Sequence, residues 1–214
     1  MKTLYKHLTS EDRFRLYERT GLPKVHYKTN LSLIKDSFAY KKSVVSYLEN
    51  IDNCIKKGQG LVLYGEYSSG KSGIAALCMK AAINYGHIGF WVRCLDITAD
   101  KIEKNMFDEN TSVYDRCLEV PILVIDEVII KKNVAYSEIL LEEVIRHRID
   151  DVKTTIITSN HTLKDLEDRH PALMAALSES CFPINVKGWD YRKSEKPKEK
   201  PKKRTNSDGT TNIW

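Results

Sequence analysis

The apolar positions of this chain change their spacing as the sequence proceeds. Over residues 1–20, Leu4, Leu8, Phe14, Leu16 and Tyr17 form a helical pattern that Gly21-Leu22-Pro23 breaks. A short extended or irregular stretch follows, through Tyr27 and Leu31. From Ala39 to Lys56, the residues Val44, Val45, Leu48, Ile51 and Ile55 recur at steps of three and four. That spacing predicts a single helix, ended by Gly58 and Gly60.

The rhythm then shifts to short, continuous apolar runs. Leu61–Tyr64, Gly89–Leu95, Ile122–Ile125, Thr154–Thr158 and Phe182–Val186 read as five strands. Between them, helices are predicted over Lys71–Tyr85, Ala99–Met106, Ser112–Leu118, Tyr136–Ile149, Leu163–Asp168 and Pro171–Ser178, the last with proline at its start. Strands without polar alternation are buried on both faces. Alternating with helices, they predict an α/β fold: a five-stranded parallel sheet covered by helices on both faces.

The first predicted strand runs into Gly65-Glu66-Tyr67-Ser68-Ser69-Gly70-Lys71-Ser72, which meets every fixed position of the G-x-x-x-x-G-K-[ST] phosphate loop. Strand before and helix after are the context that loop needs. Its glycines let the backbone curl so that successive N–H groups face phosphate oxygens, and the helix N-terminus adds partial positive charge. The candidate nucleotide-binding residues are Gly65, Ser68, Ser69, Gly70, Lys71 and Ser72. Lys71 is placed to reach the β- and γ-phosphates and Ser72 to ligate Mg2+. About 55 residues downstream, Ile122-Leu123-Val124-Ile125 ends in Asp126-Glu127. This puts two carboxylates at the sheet edge where open α/β folds bind ligands. Asp126 is the candidate Mg2+ holder and Glu127 the candidate base that polarises water. Thr158-Ser159-Asn160 follows the fourth strand, and the Asn160 amide is a candidate partner for the γ-phosphate or the attacking water. The Asp-x-x-Gly and Asn-Lys-x-Asp signals of guanine-nucleotide enzymes are missing, so ATP is the expected nucleotide.

With these motifs in this order, the chain resembles the DnaC/IstB-type AAA+ ATPases, which are helicase loaders and transposition helpers. Gly21-Leu22-Pro23 with Tyr27, Leu140–Arg148, and Gly188-Trp189-Asp190-Tyr191-Arg192 add to the likeness, which covers about residues 20–192. The resemblance implies a P-loop, AAA+-like NTPase that binds a DnaB-type replicative helicase and helps place it on single-stranded DNA. It adds Arg192 to the nucleotide-binding candidates and implies a homo-oligomer when assembled. It also implies a helical insertion at Ala99–Leu118, where Lys101, Lys104 and Arg116 serve either as strand contacts or as solvated helix charges. The chain departs from the family in one helix: Pro171–Leu177 lacks the arginine expected to act on a neighbour's ATP. Arg169 is the nearest substitute, with Arg146 and Arg148 as further candidates. Without such a finger, hydrolysis is expected to be slow. An IstB-type helper acting on duplex DNA, a small-molecule P-loop kinase and a nucleotide-dependent binding module are the competing readings.

Charge refines this picture. The formal net charge is +5, but residues 193–214 carry seven Lys/Arg against three Asp/Glu, leaving the other 192 residues nearly neutral. The expected organisation is a docking helix at 1–20, an ATPase domain at 21–192 and a basic disordered tail at 193–214. The tail either touches DNA phosphates or serves as a tether, and Trp214 is either an anchor or a chance terminus. Cys54, Cys78, Cys94, Cys117 and Cys181 are widely spaced without a C-x-x-C pair, which suggests reduced, mostly buried thiols. No run of about 18 apolar residues and no signal-peptide pattern occurs, so a cytoplasmic protein without membrane contact is expected. Two substitutions test the motif assignments. Lys71→Ala is expected to abolish ATP binding in an equilibrium titration. Glu127→Gln is expected to keep binding and lose phosphate release; unchanged turnover would remove Glu127 from catalysis.

Overall fold

The structure is a computed structural model that describes residues 9–104, 112–128 and 135–187. Helix α1 spans Ser10–Arg19, followed after the Gly21 turn by two short 3-10 segments, Lys24–His26 and Leu31–Leu33. Helices α2 (Lys41–Glu49) and α3 (Ile51–Lys56) occupy the stretch expected as one helix. The break falls at Asn50, whose backbone leaves helical geometry and whose amide donates to the Ser46 carbonyl at 2.9 Å. Asparagine competes for backbone acceptors in this way and so ends helices locally. Of the expected apolar positions, Val44, Ile51 and Ile55 are buried and Val45 and Leu48 are half-buried, while Tyr47 and Cys54 join the buried face.

The remaining elements are β1 (Gly60–Tyr64), α4 (Lys71–Asn84), β2 (Gly89–Arg93), α5 (Cys94–Lys104), α6 (Val113–Glu119), β3 (Ile122–Val128), α7 (Ala135–Asp150), β4 (Thr154–Ser159), α8 (Leu163–Arg169), α9 (Pro171–Ser180) and β5 (Cys181–Asn185). All strand pairs are parallel, in the order β2-β3-β4-β1-β5. Side chains alternate across the sheet. Leu61, Leu63, Trp91, Ile122, Val124 and Ile156 join the core under α1–α4. Val62, Phe90, Val92, Leu123, Ile125 and Ile157 join the core under α5–α9. Covering both faces is why the strands read as unbroken apolar runs. α5 starts at Cys94, five residues before the expected start, because Ile97 is buried in the second core and Asp96 sits in the first helical turn. After β1 the chain crosses to the edge strand β2, steps back through β3 and β4, and then passes β1 to reach β5. The direction of connection therefore reverses between β4 and β1, and such a switch point opens a crevice at the carboxyl ends of the strands.

Three helix starts carry a Thr/Ser-x-x-Asp capping box: Thr9 with Asp12, Ser112 with Asp115 and Thr162 with Asp165. The threonine hydroxyl and backbone N–H hold the Asp12 and Asp165 carboxyls below their ordinary range. The five cysteines are buried and form no disulfide, and burial pushes the Cys117 thiol up to about 12. Among the described residues, no helix is long and apolar enough to cross a membrane.

Arg148 on α7 is wholly buried. Its guanidinium donates to Thr155 Oγ1 at 2.9 Å and to the carbonyls of Cys117, Val120 and Thr154 at 2.7, 2.8 and 2.6 Å. It thereby ties α7 to the end of α6 and the start of β4. This corrects the expectation that Arg148 faces a neighbouring subunit, since no guanidinium atom reaches the surface. Arg146 is exposed and paired with Glu142 at 2.8 Å. Arg148→Met should lower unfolding free energy by about 3 kcal/mol or more, because three carbonyls lose their donor inside the core. Urea denaturation of the two proteins checks this; a change below about 1 kcal/mol would show that the network is dispensable.

Candidate functional site

The phosphate-loop motif forms the connection from β1 to α4. Gly65 has φ 144°, Ser68 φ 61° and Gly70 φ 99°. A Cβ on Gly65 would lie 2.4 Å from the Val186 carbonyl oxygen, so only glycine fits there. Gly70 caps α4 without a side-chain hydrogen bond, which leaves the first N–H donors of a long helix available to an anion. Lys71 is 6% exposed. Its ammonium donates to the carbonyls of Gly65 (2.9 Å) and Glu66 (2.6 Å) and to Ser69 Oγ (3.3 Å). Burial pushes this ammonium below its ordinary value, while the Asp126 and Glu127 charges pull it back. A buried cation held only by neutral acceptors is set up to exchange them for an anion.

Fifty-four positions apart in sequence, Ser72 and Asp126 meet: Ser72 Oγ donates to Asp126 Oδ1 at 2.9 Å. Thr158 Oγ1 donates to the same carboxylate oxygen at 2.6 Å and accepts the Glu127 N–H at 2.9 Å. This all-oxygen set has the chemistry of a hard divalent cation site. Glu127 is exposed and has φ 59°. It sits in a bulge: Ile125 pairs with Ile157 and Val128 with Ser159, so β3 spends one more residue than β4 over the same span. The bulge turns the glutamate out of the strand ladder. Asn160, directly after β4, lies on the same cavity.

That cavity has a volume of about 520 Å3. The phosphate loop, Asp126, Glu127, Thr158 and Asn160 line one side; Pro23, Val25, His26, Thr29, Ile34 and Leu77 line the other. Lys80 of α4 holds the second wall, donating to the carbonyls of Tyr27 (2.7 Å) and Thr29 (2.8 Å), and burial lowers its ammonium to about 8. The Trp91 backbone N–H donates to the Thr20 carbonyl at 2.7 Å, docking the start of the same segment on edge strand β2. Burial also lowers the His26 imidazole, opposed by the Asp126 charge.

The structure thus brings together Ser68, Ser69, Gly70, Lys71, Ser72, Asp126, Glu127 and Asn160 on one cavity, and the Gly65 carbonyl accepts from Lys71. Arg169 is exposed at the end of α8 and does not line the cavity. Arg192 and the Gly188–Arg192 motif lie outside the described residues, as do the side chains of Lys101 and Lys104 and the 193–214 tail. Arg116 lies 4.1 Å from the Phe90 ring centre and donates to the Arg19 carbonyl, so it braces the end of α1. Thr158 and Arg93 are among the cavity-lining residues that sequence reasoning gave no role. Thr158 orients both acids, and its signal lay within the Thr-Ser-Asn run. Arg93 ends β2 in register with Asp126; an arginine closing an apolar strand was its visible sign.

A phosphate loop after a central strand, an acidic pair on a neighbouring strand and a β2-β3-β4-β1-β5 parallel sheet define a P-loop ATP-binding protein with the AAA+ fold. The chain belongs to the family described as IstB-like ATP binding protein, which matches residues 6–199. The fold is similar to that of the DnaC helicase loader, at TM-score 0.68 and 22% identity, over 77% of this chain and 100% of that one. DnaI gives TM-score 0.65 at 16% identity, covering 81% and 98%. AMPPCP-bound DnaA from Aquifex aeolicus gives 0.64 at 14%, covering 78% of this chain and 51% of that one. No curated protein sequence matches the chain.

The left-handed backbone at exposed Glu127 costs the fold about 1 kcal/mol that glycine would not incur. Glu127→Gly is therefore expected to raise stability by about that amount in urea, even as it removes the carboxylate. A loss of stability would mean that the side chain contributes contacts of its own.

Proposed function

We propose that this protein is an ATP-hydrolysing AAA+ helicase loader that binds a DnaB-type replicative helicase and helps place it on single-stranded DNA. The observation that carries the ATPase part is the meeting of Ser72, Asp126, Thr158 and Glu127 at the mouth of the phosphate loop. Lys71 leaves its loop carbonyls for the β- and γ-phosphate oxygens. Ser72 and Asp126 would hold Mg2+, which would supply charge neutralisation to the bound phosphates. Glu127, turned out by the bulge, takes the proton of the attacking water, and Asn160 donates to that water or to the γ-phosphate. Pro23, Ile34 and Leu77 offer the apolar wall that a purine needs.

The loader part rests on the Gly21-Leu22-Pro23 segment, on family membership and on a fold similar to that of a helicase loader. Residues 1–20 would be the docking element. Within it α1 buries only Tyr17 and leaves Arg13, Phe14 and Arg15 exposed, a surface suited to a partner. The ATPase domain would be 21–192 and the basic tail 193–214. Assembly as a homo-oligomer would bring an arginine, with Arg169 the first candidate, onto the neighbour's nucleotide; α9 carries none. Hydrolysis would be slow without partner or DNA. The family description favours a second reading, an IstB-type transposition helper that binds duplex DNA.

The test is capture of the host's replicative helicase by the full chain and by a 1–20 deletion, each with ATP and with ADP. Nucleotide-sensitive capture that requires residues 1–20 is expected. Absence of capture under both nucleotides, with binding to duplex in preference to single-stranded DNA, would favour the transposition helper.

A further inference from the structure

Besides Lys71, the cavity wall includes among the described residues one other permanently charged cation, Arg93. Its position follows from the alternation of β2: Phe90 and Val92 face the core under α5–α9, while Trp91 faces the α4 side. Arg93 shares the parity of Trp91 and so faces the side where α4 and the phosphate loop lie. It is aligned in the sheet with Asp126, and the Glu127 charge acts on it. Its guanidinium does not reach either acid. It is turned to Asp96 in the first turn of α5, through Nε to Oδ2 at 2.9 Å and Nη2 to Oδ1 at 3.0 Å. The two side chains are 67% and 44% exposed, so water screens the pair and holding it costs side-chain freedom. A phosphate oxygen inside the cavity is a stronger acceptor for a planar guanidinium than a solvated carboxylate three residues away. The helix α9 carries no arginine, so a cation contributed by the same chain has a function to fill.

We propose that Arg93 senses the terminal phosphate of the bound nucleotide in cis, with Asp96 as the competing carboxylate that holds it when that phosphate is absent. The proposal rests on the reading of the cavity as an ATP site. Lys71, Ser72 and the α4 N-terminus are placed to take the β-phosphate in ATP and ADP alike, whereas a group beside Asp126 and Glu127 meets only the third phosphate. Binding of the triphosphate therefore transfers Arg93 from α5 to the nucleotide and releases Asp96. Because Asp96 belongs to α5, the nucleotide state is passed to the helix that follows β2.

Equilibrium titration with Mg-ATP and with Mg-ADP tests this on the full chain, on Arg93→Ala, on Arg93→Lys and on Asp96→Asn. Arg93→Ala is expected to weaken ATP binding about tenfold or more and leave ADP within about twofold. Unchanged ADP binding also shows that the variant is folded. Asp96→Asn is expected to strengthen ATP binding selectively, and Arg93→Lys to restore part of it. An equal effect of Arg93→Ala on both nucleotides, or none on either, overturns the proposal while leaving the ATP site intact. Failure of the unaltered protein to bind either nucleotide overturns the ATP reading and this inference together.

Discussion

One carboxylate oxygen, Asp126 Oδ1, accepts hydroxyl protons from Ser72 on α4 and Thr158 on β4, and Thr158 in turn receives the Glu127 N–H. These contacts lock the end of β3 to the start of the phosphate-loop helix and to the end of β4. The rest of the site is arranged around that point. The bulge that exposes Glu127 is held in register by Thr158, and the helix that presents Lys71 is held against the sheet by Ser72. Groups that must act together on a phosphate need fixed relative positions, because misplacement of even about 1 Å is costly to catalysis.

The buried cations of this molecule serve different ends. Arg148 is fully satisfied by three carbonyls and a hydroxyl, and it remains protonated although burial lowers it to about 10. It is structural and closed. Lys80 likewise spends its charge on two carbonyls, fixing the far wall of the cavity to α4. Lys71 is held by loop carbonyls that a phosphate can displace. The distinction is one of place: Lys71 borders a cavity, whereas Arg148 is enclosed by packed elements. The positive φ at Glu127 belongs to the same trade, since backbone strain of this kind is retained where the proposed chemistry would use the geometry.

The chain shares its fold with DnaC, DnaI and DnaA, and differences in function on a shared fold lie in the sites placed on it. In this chain the surroundings include α1, docked through Tyr17 and through Arg116 at its end, and a cavity wall made by residues 23–34. They also include Arg93, a cation in the position that faces Asp126 across the β2–β3 pair.

The five strands, their parallel arrangement, the phosphate loop and the acids Asp126 and Glu127 were legible in the sequence. Each depends on a short-range pattern: a two-sided apolar strand, a glycine turn, or an acid at a strand end. Asn160 was legible in the same way. Only the tertiary structure decided the break at Asn50, the early start of α5, the burial of Arg148 and the parts played by Thr158 and Arg93. None of these follows from local spacing. An arginine on an amphipathic helix reads as exposed until carbonyls from α6 and β4 are seen to surround it. Thr158 acquires its role only when parallel pairing carries it to Asp126, and Arg93 only when β2 lies beside β3. Local patterns report which face of an element is buried. Which side chains converge is settled by strand order and register, which are properties of the whole sheet.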